Sequence, residues 1–313
     1  MTDARYLVHG VFWDGAPAQG PEHDGGNPVL RLQSVSGALK DVSLQPGAAL
    51  GFRLASEGRF CLGHHRVFSA SSREHLLCPS NAQAARGKQC ERCFVLDDSR
   101  LIHDFHRGGR VPDGLRTYLM QAHWLYVATF AGGASKVGTA SNIRKWNRLA
   151  EQGAVVARYV AKARDGRVVR ILEDMVTRET GLAQQVRSAA KAEALTEPRP
   201  AAELDTINHG LAGGVRAILA QAAVDGFEVV DEAWVRPAQA ASLCGPAPRH
   251  AYPHALDSGE HGFQVAALCG PNALATLHGT DSRFVVNLGQ LAAQAIVLGD
   301  FASEVPAVQE SLF

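Results

Sequence analysis

The sequence has no apolar run near the ~20 residues that a membrane-spanning helix needs. Its N-terminal stretch, MTDARYLVHG, lacks a basic region leading into an apolar segment and a cleavage site. It carries no net charge, with 31 basic against 31 acidic residues, so composition gives no global sign of a polyanionic or membrane-surface partner. No internal repeat or low-complexity segment is visible, and 46% hydrophobic residues exclude a disordered chain. These absences predict a cytoplasmic, globular protein of two or three modest domains with no membrane partner. In a reducing compartment, six cysteines argue against a disulfide framework and for a metal site wherever they cluster.

Four of them do cluster, as Cys61-x16-Cys78-x11-Cys90-x2-Cys93. Zinc takes four soft ligands in a tetrahedron, and a CxxC turn such as Cys90-Glu91-Arg92-Cys93 offers two thiolates to one ion. An all-cysteine set leaves no position for water, so the expected zinc is structural. His64, His65 and His75 are competing ligands, and ordinary buried or redox thiols are the remaining alternative. The long spacings do not match a DNA-reading finger. Cys244 and Cys269 stand apart and are read as small core residues.

Charge is also uneven. Residues 131–170 hold nine basic residues against Glu151 and Asp165, a net +7, which leaves −7 for the rest of the chain. Such a segment is a phosphate footprint or, equally, a solvated helix face.

Hydrophobic periodicity orders the rest. Residues 1–58 read as short strands (Tyr6–Trp13, Val29–Leu32, Leu50–Leu54) with a breaker loop at Asp14–Asn27. Residues 59–115 are rich in Cys and His and weakly periodic, the zinc-binding segment. In residues 116–200, Trp124–Phe130 and Ser135–Gly138 read as a hairpin. A helix capped by Ser141 or Asn142 follows, with Ile143, Trp146, Leu149 and Ala150 as its apolar stripe. Ala154–Ala163 reads as a third strand, and Val168, Val169, Leu172, Met175 and Val176 mark a second helix with Glu173 on its shoulder. Glu193–Pro200 reads as a linker, 208–226 as a helix within a helical connector at 201–240, and 241–313 as a C-terminal β segment; its strands either pair with those of the N-terminus in one small barrel or sheet or do not, and the sequence leaves both open. The class is α+β.

The motifs in this central part resemble the GIY-YIG endonuclease core. Leu125-Tyr126-Val127 and Lys136-Val137-Gly138 stand where that family's two strand tripeptides stand. The chain resembles still more an uncharacterised bacterial zinc-containing family with a GIY-YIG-like centre. The shared features are Tyr126-Val127-Ala128, Lys136-Val137-Gly138, Arg148 with Gln152-Gly153-Ala154, and upstream Gln89-Cys90 with Cys93. In GIY-YIG nucleases the first tyrosine helps activate water, a helix arginine stabilises phosphate charge and a glutamate holds a divalent ion. By position, the resemblance implies these roles for Tyr126, Arg148 (or Arg144, one turn earlier) and Glu173, with Mg or Mn on Glu173. The second tyrosine of the family is Lys136 here, the first glycine is Leu125, and Trp146 occupies the position an ungapped count gives the arginine. Arg144, Lys145 and His123 are the expected substrate-binding residues.

Taken singly, Tyr126 is equally a core tyrosine, Arg148 a solvated charge, Glu173 a salt-bridge partner and His123 a structural residue. Taken together, they predict metal-assisted hydrolysis of nucleic-acid phosphodiesters. One alternative is a non-catalytic nucleic-acid-binding module with a degenerate core. Another is the same fold recruited to a small-molecule or modified, aminoacylated substrate.

Overall fold

A computed structural model describes residues 4–14, 26–103, 105–245 and 247–305. Most of the expected breaker loop, residues 15–25, lies outside them, as does the side chain of Cys244. The fold is α+β. The chain opens with strands β1 (Arg5–Asp14), β2 (Asn27–Ser34), β3 (Leu39–Ser43) and β4 (Ala49–Leu54). The cysteine segment follows, with hairpin β5 (His64–Val67) and β6 (Arg73–Leu76) and helices α1 (Glu91–Leu96) and α2 (Asp113–Leu119).

The central part runs β7 (His123–Thr129), β8 (Ser135–Ser141), α3 (Lys145–Gln152), β9 (Val156–Ala163), α4 (Gly166–Thr180), α5 (Ser188–Ala194), α6 (Ala201–Leu219) and β10 (Phe227–Ala233). The chain returns through β11 (His250–Ala251), β12 (Glu260–Cys269), β13 (Asn272–Thr276), β14 (Arg283–Asn287) and β15 (Ala295–Leu298).

The strands of the two chain ends do pair. They interleave in one nine-stranded sheet of order β11-β14-β13-β12-β4-β15-β1-β2-β3, antiparallel except for β11 on β14. The central sheet has four strands, in the order β10-β9-β7-β8. Every residue of β7 is buried, as expected of a strand covered on both faces. Its period of two separates two cores. Leu125 and Val127 pack with Val168, Leu172 and Val176 of α4 and Ala212 and Val215 of α6. Trp124, Tyr126 and Ala128 face α3 and the nine-stranded sheet.

Trp13 of β1 meets Trp146 of α3 edge to face, with 6.4 Å between ring centroids, and Trp146 lies 6.2 Å from Trp234. Their indole N–H groups donate to Gly270 O (Trp13) and Val235 O (Trp146). At roughly 25 cal/mol per Å², each buried indole contributes on the order of 3–5 kcal/mol of gross transfer free energy.

Three local expectations are corrected. The helix placed at 208–226 runs Ala201–Leu219. The supposed connector 201–240 belongs to the central unit, because α6 packs on β7 and β9, and β10 pairs antiparallel with β9. Neither Ser141 nor Asn142 caps α3: Ser141 Oγ bonds the Tyr118 hydroxyl at 2.9 Å, and Asn142 Oδ1 accepts the Trp124 indole N–H at 2.9 Å. Tertiary partners outcompeted the local cap. The turn at Asp165-Gly166 is instead the N-cap of α4, with Asp165 accepting from the amides of Arg167 and Val168. No helix among the described residues is long and apolar enough to cross a membrane.

Candidate metal centre and candidate active site

The four cysteines of the irregular motif come together. Cys61 precedes β5, Cys78 follows β6, Cys90 sits at the N-cap of α1 and Cys93 lies in its first turn. Their Sγ atoms all lie within 4.8 Å of one another, the one such group of three or more His, Cys, Asp or Glu ligands among the described residues. His64, His65 and His75 stand outside it, so the competing histidine sites are not formed. Cys61, Cys78 and Cys93 are buried and Cys90 is half-buried. The Gly63 amide donates to Cys61 Sγ at 3.3 Å, a contact that suits a thiolate. Four converging soft donors fit a tetrahedral metal ion such as zinc. Gln89, beside Cys90, braces the site by donating to Gly63 O at 2.9 Å and Asp97 Oδ2 at 2.6 Å. Cys269 is buried on β12, as expected of a core residue.

The second site lies along β8, the edge strand of the central sheet. Tyr126 stands opposite Gly138, and Lys136 is its diagonal neighbour on the same face. Gly138 is required there: a Cβ would fall 2.6 Å from Cζ and Oη of Tyr126. The chain after α4 folds back over the strand edge, where the Val137 amide donates to Ala183 O at 3.0 Å. The result is a cleft of about 660 Å³ lined by Tyr126, Lys136, Arg148, Gln152, Arg170, Glu173 and Lys191, among others. Tyr126, Lys136, Arg148 and Glu173 therefore reach one cleft from four different elements.

Burial sets the electrostatics. Lys136 is pushed down to about 8 by desolvation, helped by Arg148. Its ammonium donates to Gln184 O at 3.0 Å. Lys191 is also pushed down to about 8, by desolvation and then by Lys136. It donates to Gln152 O at 3.0 Å. Burial raises the Tyr126 phenol above its ordinary value, so at neutral pH it is a hydroxyl and not a base. That hydroxyl accepts from Gln152 Nε2 at 2.9 Å. Burial likewise raises Glu173, against the pull of Arg170, whose Nη1 donates to Glu173 Oε2 at 2.5 Å.

This pairing bears on the expectation of Mg or Mn on Glu173. Glu173 is the one carboxylate among the residues lining the cleft, it already faces the Arg170 guanidinium, Lys136 acts on it as well, and Lys136, Arg148, Arg170 and Lys191 give the cleft a cationic lining. A hard divalent cation needs several oxygen donors and suffers from neighbouring cations. The residues present do not fit a resident divalent ion, and they do fit an anion.

The expected substrate-binding residues divide. Arg144 pairs with Glu151 and lines an adjoining cleft, as does His123, whose Nδ1 bonds Gln121 O at 2.8 Å. Lys145 reaches neither cleft. It lies 3.3 Å from the centroid of the Trp124 ring and pairs with Glu232 at 2.6 Å, so its charge is engaged within the fold. Gln152, Arg170 and Lys191 were missed. Gln152 had a signal in its motif and Arg170 in its i, i+3 relation to Glu173; Lys191 had none. No family model, curated protein or solved structure matches the chain.

Proposed function

We propose that the β8-edge cleft binds and cleaves a nucleic-acid phosphodiester on a GIY-YIG-like core, braced by one structural zinc on Cys61, Cys78, Cys90 and Cys93. The observation that carries this reading is the convergence of Tyr126, Lys136, Arg148 and Glu173 on one cleft. The order of elements supports it as well: hairpin, arginine-bearing helix, strand, glutamate-bearing helix. Arg148 supplies a fork for the non-bridging oxygens. The Tyr126 hydroxyl donates to the same phosphate. Lys136 is lowered to about 8, so its neutral amine, the form able to accept a proton from water, is a minor fraction at pH 7 that grows as pH rises through 8. Glu173 holds Arg170 in place, so it is a positioning residue.

The test is cleavage of single- and double-stranded DNA and RNA by the zinc-loaded chain, with Mg, with Mn and with neither. Arg148→Ala and Lys136→Met are expected to reduce turnover at least about 100-fold, the scale of a lost charge stabiliser or proton acceptor. Undiminished cleavage in Arg148→Ala and Glu173→Ala sinks the assignment. Metal analysis is expected to give one zinc per chain.

The Arg170–Glu173 pair favours a second reading, a binding module without turnover, because it occupies the carboxylate that the family uses for metal. That reading predicts affinity that falls as salt rises, with no cleavage under any metal condition. Turnover that needs Lys136 removes it.

A further inference from the structure

A second cleft of about 750 Å³ adjoins the first and shares Thr139, Arg148 and Arg170 with it. One wall is the β5–β6 hairpin, held at both ends by the cysteine cluster. Cross-strand register places His65 opposite His75, so their rings share a face and stack, with centroids 4.6 Å apart and planes 21° apart. His9 of β1 meets His75 edge-on at 5.1 Å. Phe12, Leu39 and Ile102 add apolar lining. Arg73, two residues before His75 on the same face, and Lys88 supply positive charge. Neither has an acidic partner among the described residues.

These groups are unlike those of the first cleft. There, cations surround a carboxylate and a phenol. Here, flat imidazoles and apolar side chains line a hollow together with Arg73 and Lys88, and its carboxylate, Asp97, lies against His65. Burial pushes His75 down to about 4, so at physiological pH its stack with His65 brings a flat, neutral ring to the cleft wall, not a second charge. Flat neutral rings beside arginines are what a base and its backbone require. The histidine cluster is not a metal site, since it brings no three ligand atoms together as the cysteines do.

We infer that this cleft is a nucleobase subsite for single-stranded nucleic acid, taking the base next to the phosphate held at Arg148 and Arg170. The inference rests on the phosphodiester reading of the first cleft and adds the strand form and the base contact to it. A duplex keeps its bases stacked inside, so a base reaches the hairpin wall only from an unpaired strand.

The experiment compares full-length, zinc-loaded protein binding a short single-stranded oligonucleotide and a fully abasic oligomer with the same phosphates. The wild type is expected to prefer the base-bearing strand by about tenfold, the scale of one base–aromatic stack. His75→Ala is expected to bring the ratio close to one, and His75→Phe, which keeps a flat ring, to retain it. Arg148→Gln is expected to weaken both oligomers alike and leave the ratio unchanged. Equal wild-type affinity for the two oligomers overturns the subsite while leaving the phosphodiester reading intact. So does a retained ratio in His75→Ala with full zinc content. A mononucleotide that binds as tightly as the oligomer overturns the strand assignment. Failure to bind any oligomer overturns both proposals.

Discussion

The cysteine segment and the central sheet lie side by side and are held by different physics. The segment has a two-stranded hairpin of four-residue strands and a satellite core of Val67, Leu115, Tyr118 and Leu119. The central sheet, α4 and α6 together bury thirteen apolar side chains in one core, six of them from the sheet. A lone hairpin is marginal in water, so the segment depends on its four thiols, while the sheet depends on burial. One region is expected to respond to chelators and the other to cavities.

The sharpest way to break the comparison is to remove the metal. Structural zinc sites contribute on the order of 10 kcal/mol to the folding of small domains. Chelation, or Cys93→Ser, is expected to abolish amide-exchange protection around Cys61–Leu96 while Leu125–Thr129 stays protected. Loss of protection in both regions would merge them into one cooperative unit. Next in size is Leu172→Ala, which leaves a cavity between α4 and β7. It is expected to cost about 2–5 kcal/mol, read as a lower thermal midpoint with metal content unchanged.

A smaller effect concerns the buried ammonium. Lys136 sits at about 8 in the fold against 10.5 when free, so between those values the unfolded chain binds the extra proton. Stability from this group therefore rises as pH climbs from about 8 to 10.5, and the cost of burying the charge is fully present below 8. Lys136→Met is expected to stabilise the fold by about 1–2 kcal/mol at pH 7, less than the full shift because Gln184 O loses its donor. The gain should shrink towards pH 10.5, which a series of melting curves would track. Smallest for stability is Arg148→Ala, an exposed change expected to stay within about 0.5 kcal/mol while lowering the proposed turnover at least about 100-fold.

Much of this was legible. Alternation and turn residues located most strands of both sheets, because side-chain period is written locally. The CxxC pair marked the metal centre, and motif order marked Tyr126, Lys136, Arg148 and Glu173. What was not legible depends on distant partners. Strand β10 has a mostly exposed pattern, since it is an edge strand whose place is fixed by β9. Strand order in the nine-stranded sheet follows from pairings between opposite ends of the chain. Glu173 read as a metal ligand through the resemblance, which carried no sign of its guanidinium partner one turn away. The histidine wall was invisible, because His9, His65 and His75 become one surface only when β1 and the β5–β6 hairpin meet.

The Gln-Gly-Ala turn invites reading as part of a catalytic signature, yet Gly153 has a mechanical task. With φ +71 it ends α3, and its backbone presses on the turn after β12, where a Cβ on Gly270 would fall 2.6 Å from the Gly153 nitrogen. Arg148 and Gln152 ride on that helix, so their alignment with Tyr126 is inherited from a joint between two sheets. A bulky residue at position 270 would detune the cleft from the far side of the molecule, with every charged group still in place.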